Sequence, residues 1–303
     1  MVGNYREDDG RARPEERAQR RAMERRRLRR QRLLALGGLL LLAAATATAV
    51  AELRGGGQTD ASGSRSRHQA PPTEPATRSR ADWRPHTGPV PILEYHVLGR
   101  PQTEVPYPDL YVPRASFRKQ MDWLEQQGYE AVTLEQVEEA WYRGGKLPPR
   151  PLVISFDDGY RPQYTFALPQ LSKRGWPGVL NLKAEGSDLY TSNVEAMLEA
   201  GWELAAHTIN HSDLTTLEGE ALEEEVAGSR KILQREFHVP VNNFCYPAGR
   251  FDSTVITAVE AAGYTGATTE IPGWATKNHP YELARIEVLG SWTLSDLAAS
   301  LQR

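Results

Sequence analysis

Short apolar runs alternate with amphipathic segments from residue 89 onward, and this alternation restricts the fold more than any other feature of the chain. Strands are predicted at residues 90–96, 129–133, 152–156, 178–182, 202–206, 243–246, 266–269 and 285–289. Helices are predicted between them, several of them ending at a glycine. Repeated strand–helix units predict an α/β fold with a parallel sheet and helices outside it.

A closed barrel is favoured over an open doubly wound sheet. No glycine-rich nucleotide turn follows the first predicted strand, and candidate polar residues follow several different strands. In barrels the site lies at the carboxyl ends of the strands. The residues that fall at such ends are Asp157, Asp158, His207, Tyr246, Pro247 and His96.

The stretch 152–160, LVISFDDGY, places two carboxylates at the end of an apolar strand. Adjacent aspartates in a buried position repel each other and lose hydration, and a divalent cation is the simplest compensation. Successive side chains of a strand point to opposite sides. One aspartate can therefore bind the cation while the other stays free as a base, as metal-assisted hydrolysis requires.

His207 and His211 are four positions apart in the sequence HTINH. If a helical turn forms there, both rings face the same way and can bind one ion. Together with Asp158 they form a set of two imidazoles and one carboxylate, which suits zinc and leaves positions open for water and substrate. The same set occurs at non-haem iron sites, so the ligand types alone do not fix the metal.

Cys245 is the single cysteine, which excludes an intrachain disulfide and a cysteine zinc cluster. It lies in an apolar predicted strand, where a buried thiol is usually inert. We therefore expect Cys245 to be a packing residue and not a nucleophile.

Three motifs, in this order and spacing, resemble the polysaccharide deacetylases of the NodB-homology type, carbohydrate esterase family 4. They are SFDDGY at 155–160, HTINH at 207–211 and FCYPAGRF at 244–251. LEYHVL at 93–98 and the YP-x-G form of the third motif are most similar to the exported subgroup that acts on poly-N-acetylglucosamine. The resemblance covers about residues 89–303 and implies a distorted (β/α)7-type barrel that hydrolyses N-acetyl groups to acetate and a free amine.

The resemblance also implies a role for each motif residue. Asp157 corresponds to the general base, and Asp158, His207 and His211 correspond to the ligands of a divalent metal, which we expect to be Zn²⁺. No other cofactor is expected.

The third motif departs from the family pattern. The resemblance implies that a backbone N–H near Tyr246, Pro247 and Ala248 helps to hold the tetrahedral oxyanion, and Pro247 and Ala248 are also candidates for substrate contact. Many members carry an arginine in this motif that braces the catalytic aspartate, whereas a cysteine stands in that neighbourhood here. Arg285 or Arg250 is the expected replacement.

The general acid is a second departure. Many members have a late Leu-x-His motif whose histidine is the acid, but the corresponding tail, residues 285–297, contains no histidine. His96, His279 and a metal-bound water are the alternatives. His96 could instead be a packing residue at the end of a strand, and His279 could be a loop residue without a role in catalysis.

The N-terminal region has the composition of a membrane anchor. Residues 1–32 carry 12 arginines against 6 acidic residues, although the net charge of the 303-residue chain is −3. The uncharged run 33–51 follows, and about 19 apolar residues just span a bilayer core. The positive-inside rule places residues 1–32 in the cytoplasm and the rest of the chain outside, with a transmembrane segment over residues 33–52.

Small residues alternate near the end of this run, so a cleaved signal peptide is the competing interpretation. Cleavage near Ala47, Ala49 or Ala51 would release the protein. Residues 53–88 are rich in Gly, Ser, Thr, Pro and Arg and are expected to form a disordered linker. The catalytic domain is expected at residues 89–303.

These features together predict a membrane-tethered, metal-dependent N-deacetylase with an extracellular domain, secreted if the segment is cleaved. The expected partners are the membrane and an N-acetylated aminosugar polymer of an exopolysaccharide or of the cell wall, and the protein is expected to be a monomer. Nucleic acid is not expected, because the basic segment lies across the membrane from the domain. A catalytically weak glycan-binding module is the alternative, and a metal-dependent peptidase or nuclease is a third possibility.

Overall fold

The computed structural model describes residues 80–101 and 104–302. The predicted cytoplasmic segment 1–32 and membrane segment 33–52 lie outside the described residues, as does most of the predicted linker 53–88. Within the described part, no helix is both long and apolar enough to cross a bilayer.

Twelve strands and eight α-helices make up the described part. The strands are β1 (Arg84–Pro85), β2 (Ile92–Tyr95), β3 (Val97–Leu98), β4 (Tyr111–Val112), β5 (Glu130–Ala131), β6 (Lys146–Leu147), β7 (Pro151–Asp157), β8 (Val179–Leu182), β9 (Glu203–Ala206), β10 (Asn243–Cys245), β11 (Gly266–Pro272) and β12 (Leu283–Glu287). The helices are α1 (Arg114–Gln126), α2 (Leu134–Tyr142), α3 (Leu168–Ser172), α4 (Thr191–Glu199), α5 (Gly219–Glu223), α6 (Ser229–Phe237), α7 (Ser253–Ala261) and α8 (Leu294–Ser300). A π-helical turn, Gln163–Ala167, leads into α3, and another, Glu224–Gly228, joins α5 to α6.

Seven parallel strands form a closed barrel. β2 pairs with β7, each strand from β7 to β12 pairs with the next one in the chain, and β12 pairs with β2. β5 adds to the beginning of β7, and the register of β11 against β12 shifts between Thr268 and Pro272. The architecture is consistent with a (β/α)7-type fold, as the sequence predicted.

The barrel strands are buried on both faces, as expected for parallel strands covered by helices. All seven residues of β7 are buried. Alternate residues pack in different places: Ile154 lies in the core cluster shared with the outer helices, and Val153 lies in a second cluster with Val179 of β8 and Ala205 of β9. Because side chains alternate along a strand, Asp157 continues the row of Val153 and points into the barrel.

Residues 83–88, which composition assigned to the linker, contact the domain. β1 pairs antiparallel with β6, and the indole N–H of Trp83 donates to Glu130 Oε1 at 3.1 Å. The indole of Trp141 donates to the carbonyl of Gly88 at 2.8 Å. Two tryptophan side chains thus take part in joining this short segment to the rest of the domain.

Candidate active site

The end of β7 turns sharply and separates its two carboxylates. Asp158 has φ 74° and Gly159 has φ 73°, in the left-handed region that favours glycine. A Cβ on Gly159 would lie 2.5 Å from side-chain atoms of Leu182 and Ser187, so that position requires glycine. The turn leaves Asp157 inside the barrel and directs Asp158 towards the loop 207–211.

Asp158, His207 and His211 come together at this end of the barrel. Asp158 Oδ1 lies 3.9 Å from His207 Nε2 and 3.7 Å from His211 Nε2. Tetrahedral zinc bonds of about 2.0–2.1 Å hold two ligand atoms about 3.4 Å apart. The three side chains therefore fit one divalent cation with small adjustments.

The protonation of both histidines suits metal binding. His207 Nδ1 lies 2.8 Å from the carbonyl oxygen of Cys245, which can only accept, so Nδ1 carries the proton and Nε2 is left as a ligand. Burial lowers the pKa of His207 to about 4. Burial also lowers the pKa of His211. Both rings are neutral at pH 7, as a metal ligand must be.

The loop that carries the histidines is not the helical turn considered from the sequence. Thr208 and His211 have φ values of 63° and 59°, and the N–H of His211 donates to Thr208 Oγ1 at 2.8 Å. The two rings still lie close, with centroids 4.8 Å apart. An irregular loop with two left-handed residues thus achieves the convergence that helical spacing would have given.

Asp157 is held by several neighbouring strands. Its Oδ1 accepts from Arg285 Nη1 at 2.9 Å and from Asn181 Nδ2 at 2.7 Å. Cys245 Sγ lies 3.5 Å from Oδ2. Burial alone would raise the pKa of Asp157, but the Arg285 guanidinium, with His96 and His207, lowers it well below its usual range. Asp157 is therefore an ionised carboxylate with one oxygen fixed.

A buried charge network lies on the other side of Asp157. Arg285 Nη2 is 3.1 Å from Glu94 Oε1, and His96 Nε2 is 3.7 Å from Glu94 Oε1 and 4.0 Å from Asp157 Oδ2. Burial raises the pKa of Glu94 well above its usual value, although Arg285 opposes this. His96 therefore reaches the site, beside the less constrained oxygen of Asp157.

Three groups of side chains in the described residues have ligand atoms close enough to hold a metal. In the group of Glu94, His96 and Asp157, the guanidinium of Arg285 already supplies the positive charge. In the group of Asp157, His207 and Cys245, burial raises the pKa of the thiol, which opposes thiolate ligation. The group of Asp158, His207 and His211 is the one whose chemistry fits a divalent cation.

The third motif contributes one backbone donor to this end of the barrel. The N–H of Tyr246 donates to the carbonyl of Thr268 at 3.1 Å, and Pro247 has no N–H. Ala248 has φ 51°, which turns the chain immediately after them. Of the three predicted positions, Tyr246 is thus already bonded and Pro247 has no donor, which leaves the N–H of Ala248 as the remaining candidate for an oxyanion.

Two of the sequence candidates are not brought to the site. Arg250 forms an ion pair with Asp213 at 2.6 Å on the surface, so of the two predicted arginines it is Arg285 that binds Asp157. The segment before β12 must return to the amino end of the barrel, and Pro280 O accepts from the N–H of Ala267 near the start of β11. His279, next to Pro280, therefore lies at the opposite end from Asp157.

Three residues near the site had no assigned role in the sequence analysis. Asn181 binds Asp157, Lys183 Nζ lies 3.4 Å from Asp158 Oδ1, and Glu225 binds the loop 207–211. The signal for the first two is their position at the end of β8, the strand next to β7. Glu225 has no such signal, because it lies on a turn between helices.

Comparison with known proteins agrees with the motifs. The family model described as polysaccharide deacetylase matches residues 144–267. YxkH of Bacillus subtilis strain 168, whose name assigns it to the polysaccharide deacetylases, is 30% identical over 204 residues, which cover 66% of this chain and 71% of YxkH. The chain belongs to the polysaccharide deacetylase family. Enzymes of this family hydrolyse N-acetyl groups and are generally metal-dependent.

A solved structure shares the fold of this deacetylase, and another curated protein matches a short stretch of its sequence. The deacetylase PplD of Streptococcus pyogenes, solved with acetate, superposes with a TM-score of 0.66 at 22% identity, over 72% of this chain and all of that one. The poly-β-1,6-N-acetyl-D-glucosamine N-deacetylase of Escherichia coli K12 is 44% identical over 69 residues. That match covers 22% of this deacetylase and 10% of the Escherichia coli protein.

Proposed function

We propose that this polysaccharide deacetylase is a zinc enzyme that removes N-acetyl groups from a poly-N-acetylglucosamine-type exopolysaccharide. It would act as a monomer at the outer face of the membrane, tethered through residues 33–52 or secreted after cleavage. One observation carries the proposal. Two neutral imidazoles and a carboxylate that can bind a cation lie at the same end of the barrel as Asp157, a separate ionised carboxylate that can act as a base.

The residues divide the chemistry between them. Asp158, His207 and His211 would hold the cation, which when bound polarises the acetamide carbonyl and favours deprotonation of a water. Oδ2 of Asp157 accepts the proton from the water whose oxygen attacks the carbonyl carbon, since Arg285 and Asn181 occupy Oδ1.

His96 is the proposed general acid. Its Nε2 lies 4.0 Å from Asp157 Oδ2, so both groups face the same reacting centre. Proton transfer from the imidazole of His96 to the nitrogen would accompany cleavage of the carbon–nitrogen bond and release the free amine and acetate. The N–H of Ala248 would stabilise the developing oxyanion.

Two features support the substrate. The short match to the Escherichia coli enzyme, whose name gives poly-β-1,6-N-acetyl-D-glucosamine as substrate, is 44% identical. The proposed anchor would put the domain outside the cell, where exopolysaccharide accumulates. Peptidoglycan is the second candidate polymer at the same location.

The test is acetate release from a panel of oligomers of poly-β-1,6-N-acetylglucosamine, chitin and peptidoglycan. Activity should disappear when metal is stripped and return with Zn²⁺, and the β-1,6-linked oligomer should be the best substrate. Asp157→Asn should reduce kcat by about 10²–10⁴-fold while the protein still binds Zn²⁺. Full activity of Asp157→Asn, or activity indifferent to metal, would refute the assigned roles. Separating membranes from medium tests the location.

A further inference from the structure

The loop that carries His207 and His211 has a backbone conformation that is unfavourable unless other parts of the protein stabilise it. Thr208 and His211 adopt left-handed φ angles, which cost a non-glycine residue about 1 kcal/mol or more each. The bond from His211 N–H to Thr208 Oγ1 lies inside the loop and cannot fix it to the barrel. The position of the loop must therefore be held from outside.

The N–H groups of Ala184 and Glu185 hold the carbonyls of Thr208 and Ile209 on one side, both at 3.0 Å. The donors of the loop are held by one carboxylate. Glu225 Oε2 accepts from the backbone N–H groups of Ile209 and Asn210 at 2.9 and 3.0 Å. Glu225 Oε1 accepts from Asn210 Nδ2 at 3.1 Å and from Ser212 Oγ at 2.9 Å. Four donors of the segment between and just after the two histidines thus converge on a side chain that is only 9% exposed.

The location of Glu225 in its helix is also specific. It is the one buried member of three consecutive glutamates, since Glu223 and Glu224 are exposed. It lies in the π-helical turn Glu224–Gly228, and such turns are frequent at functional sites. The turn connects α5 to α6, so the loop is tied to a helical layer that packs on the barrel.

We propose that Glu225 is a positioning residue of the metal centre, which sets the loop 207–211 so that both histidines present Nε2 to one cation before the cation binds. This inference rests on the proposed metal-binding role of the two histidines. Partners that orient ligand residues typically contribute about 10–100-fold to metal affinity. Replacing the carboxylate by an amide would keep the size of the side chain but turn one acceptor into a donor facing N–H groups.

The experiment compares Glu225→Gln with Glu224→Gln in the full-length protein. The two variants change charge identically at neighbouring positions, one buried and one exposed. Hydrogen exchange of the Ile209 and Asn210 amides is measured in the metal-free protein, and the Kd for Zn²⁺ by chelator competition. Glu225→Gln should speed exchange at both amides at least about tenfold and weaken Zn²⁺ binding about 10–100-fold, and Glu224→Gln should change neither.

Further variants keep the result interpretable. If Glu225→Gln does not fold, as judged from exchange of the β7 amides, Ser212→Ala removes one of the four donors and should give a smaller change in the same direction. An unchanged Kd in Glu225→Gln, with or without faster exchange, overturns the proposal, as does a wild-type protein that binds no Zn²⁺. If the wild-type protein binds Zn²⁺ with the expected dependence on Glu225 but releases no acetate, the proposed function fails and this inference stands.

Discussion

Replacing Arg285 by methionine should destabilise the domain far more than an ordinary surface change. Arg285 is 1% exposed and lies between the carboxylates of Asp157 and Glu94 at 2.9 and 3.1 Å. Burial raises the pKa of Glu94 and favours its neutral form, so only the contact with the ionised Asp157 is counted as an ion pair. At an effective dielectric of about 20, that contact at about 3 Å is worth about 5 kcal/mol before desolvation. Removing one partner of a buried pair costs about 3–5 kcal/mol. Against a total stability of about 5–15 kcal/mol, this is a large fraction.

The assay is urea unfolding of the purified protein, with Arg250→Met as the matched control. Arg250 also pairs with an aspartate, Asp213, but its side chain is 54% exposed. Exposed pairs of this kind contribute about 0–1 kcal/mol. Asp157→Asn in the Arg285→Met background should restore about 1–3 kcal/mol, since it removes the carboxylate charge that Arg285→Met leaves unpaired.

Three results would refute this reasoning about Arg285. The first is a free energy of unfolding for Arg285→Met within about 1 kcal/mol of the wild type. The second is the same loss of unfolding free energy in Arg285→Met and Arg250→Met. The third is a double variant that shows no coupling between Arg285 and Asp157. Each result would mean that the guanidinium is not the charge that makes a buried aspartate tolerable.

Two other predictions follow from groups at opposite ends of the barrel. Burial raises the pKa of Glu138 to about 7, so the native state holds a proton that the unfolded state loses above about 4.5, and the contribution of this group to stability should fall by up to about 3 kcal/mol as pH rises through this window. In Glu138→Gln, urea-derived stability should fall less between pH 4.5 and 7 than in the wild type, and a fall due to Glu203, whose pKa burial also raises to about 7, should remain; an unchanged slope would contradict this. His96→Ala should lower kcat for acetate release at least about 10²-fold, whereas His279→Ala should behave as wild type; equal losses would disprove the assignment of the acid.

The fold was predictable because the apolar strand runs, the amphipathic helices between them and the glycines that end several helices all favour the same α/β barrel. Thr133 forms a capping box with Gln136 at the start of α2, and such a pair is recognisable in the sequence. Other helix starts are less clear from the sequence: α1 begins after Pro113 although Ser116 follows, and Thr293 rather than Ser295 caps α8. A serine near the start of a helix caps it only if the helix does not begin at an earlier residue. The sequence next to the serine does not show where the helix begins.

Site residues were predictable when they directly follow a strand within a motif. They were not predictable when their position depends on how the strands and connections are arranged around the closed barrel. Asp157, Asp158 and His207 are read directly from motifs. The choice of Arg285 over Arg250 depends on which side chain points into the barrel, and the exclusion of His279 depends on the return path before β12. Glu225 acts from a turn between helices, far from any motif, so only the folded chain reveals it.

Ring closure by β12 against β2 has a consequence for how the protein becomes active. Leu283–Glu287 is the last of the described strands, and it brings in the only guanidinium that contacts Asp157 among the described residues. A nascent polypeptide that has been synthesised only as far as β11 would hold both aspartates and both histidines, yet Asp157 would lack its counter-charge. Catalytic competence should therefore arise only when β12 closes the ring, and fragments that end before Leu283 should be inert even though all three motifs are intact.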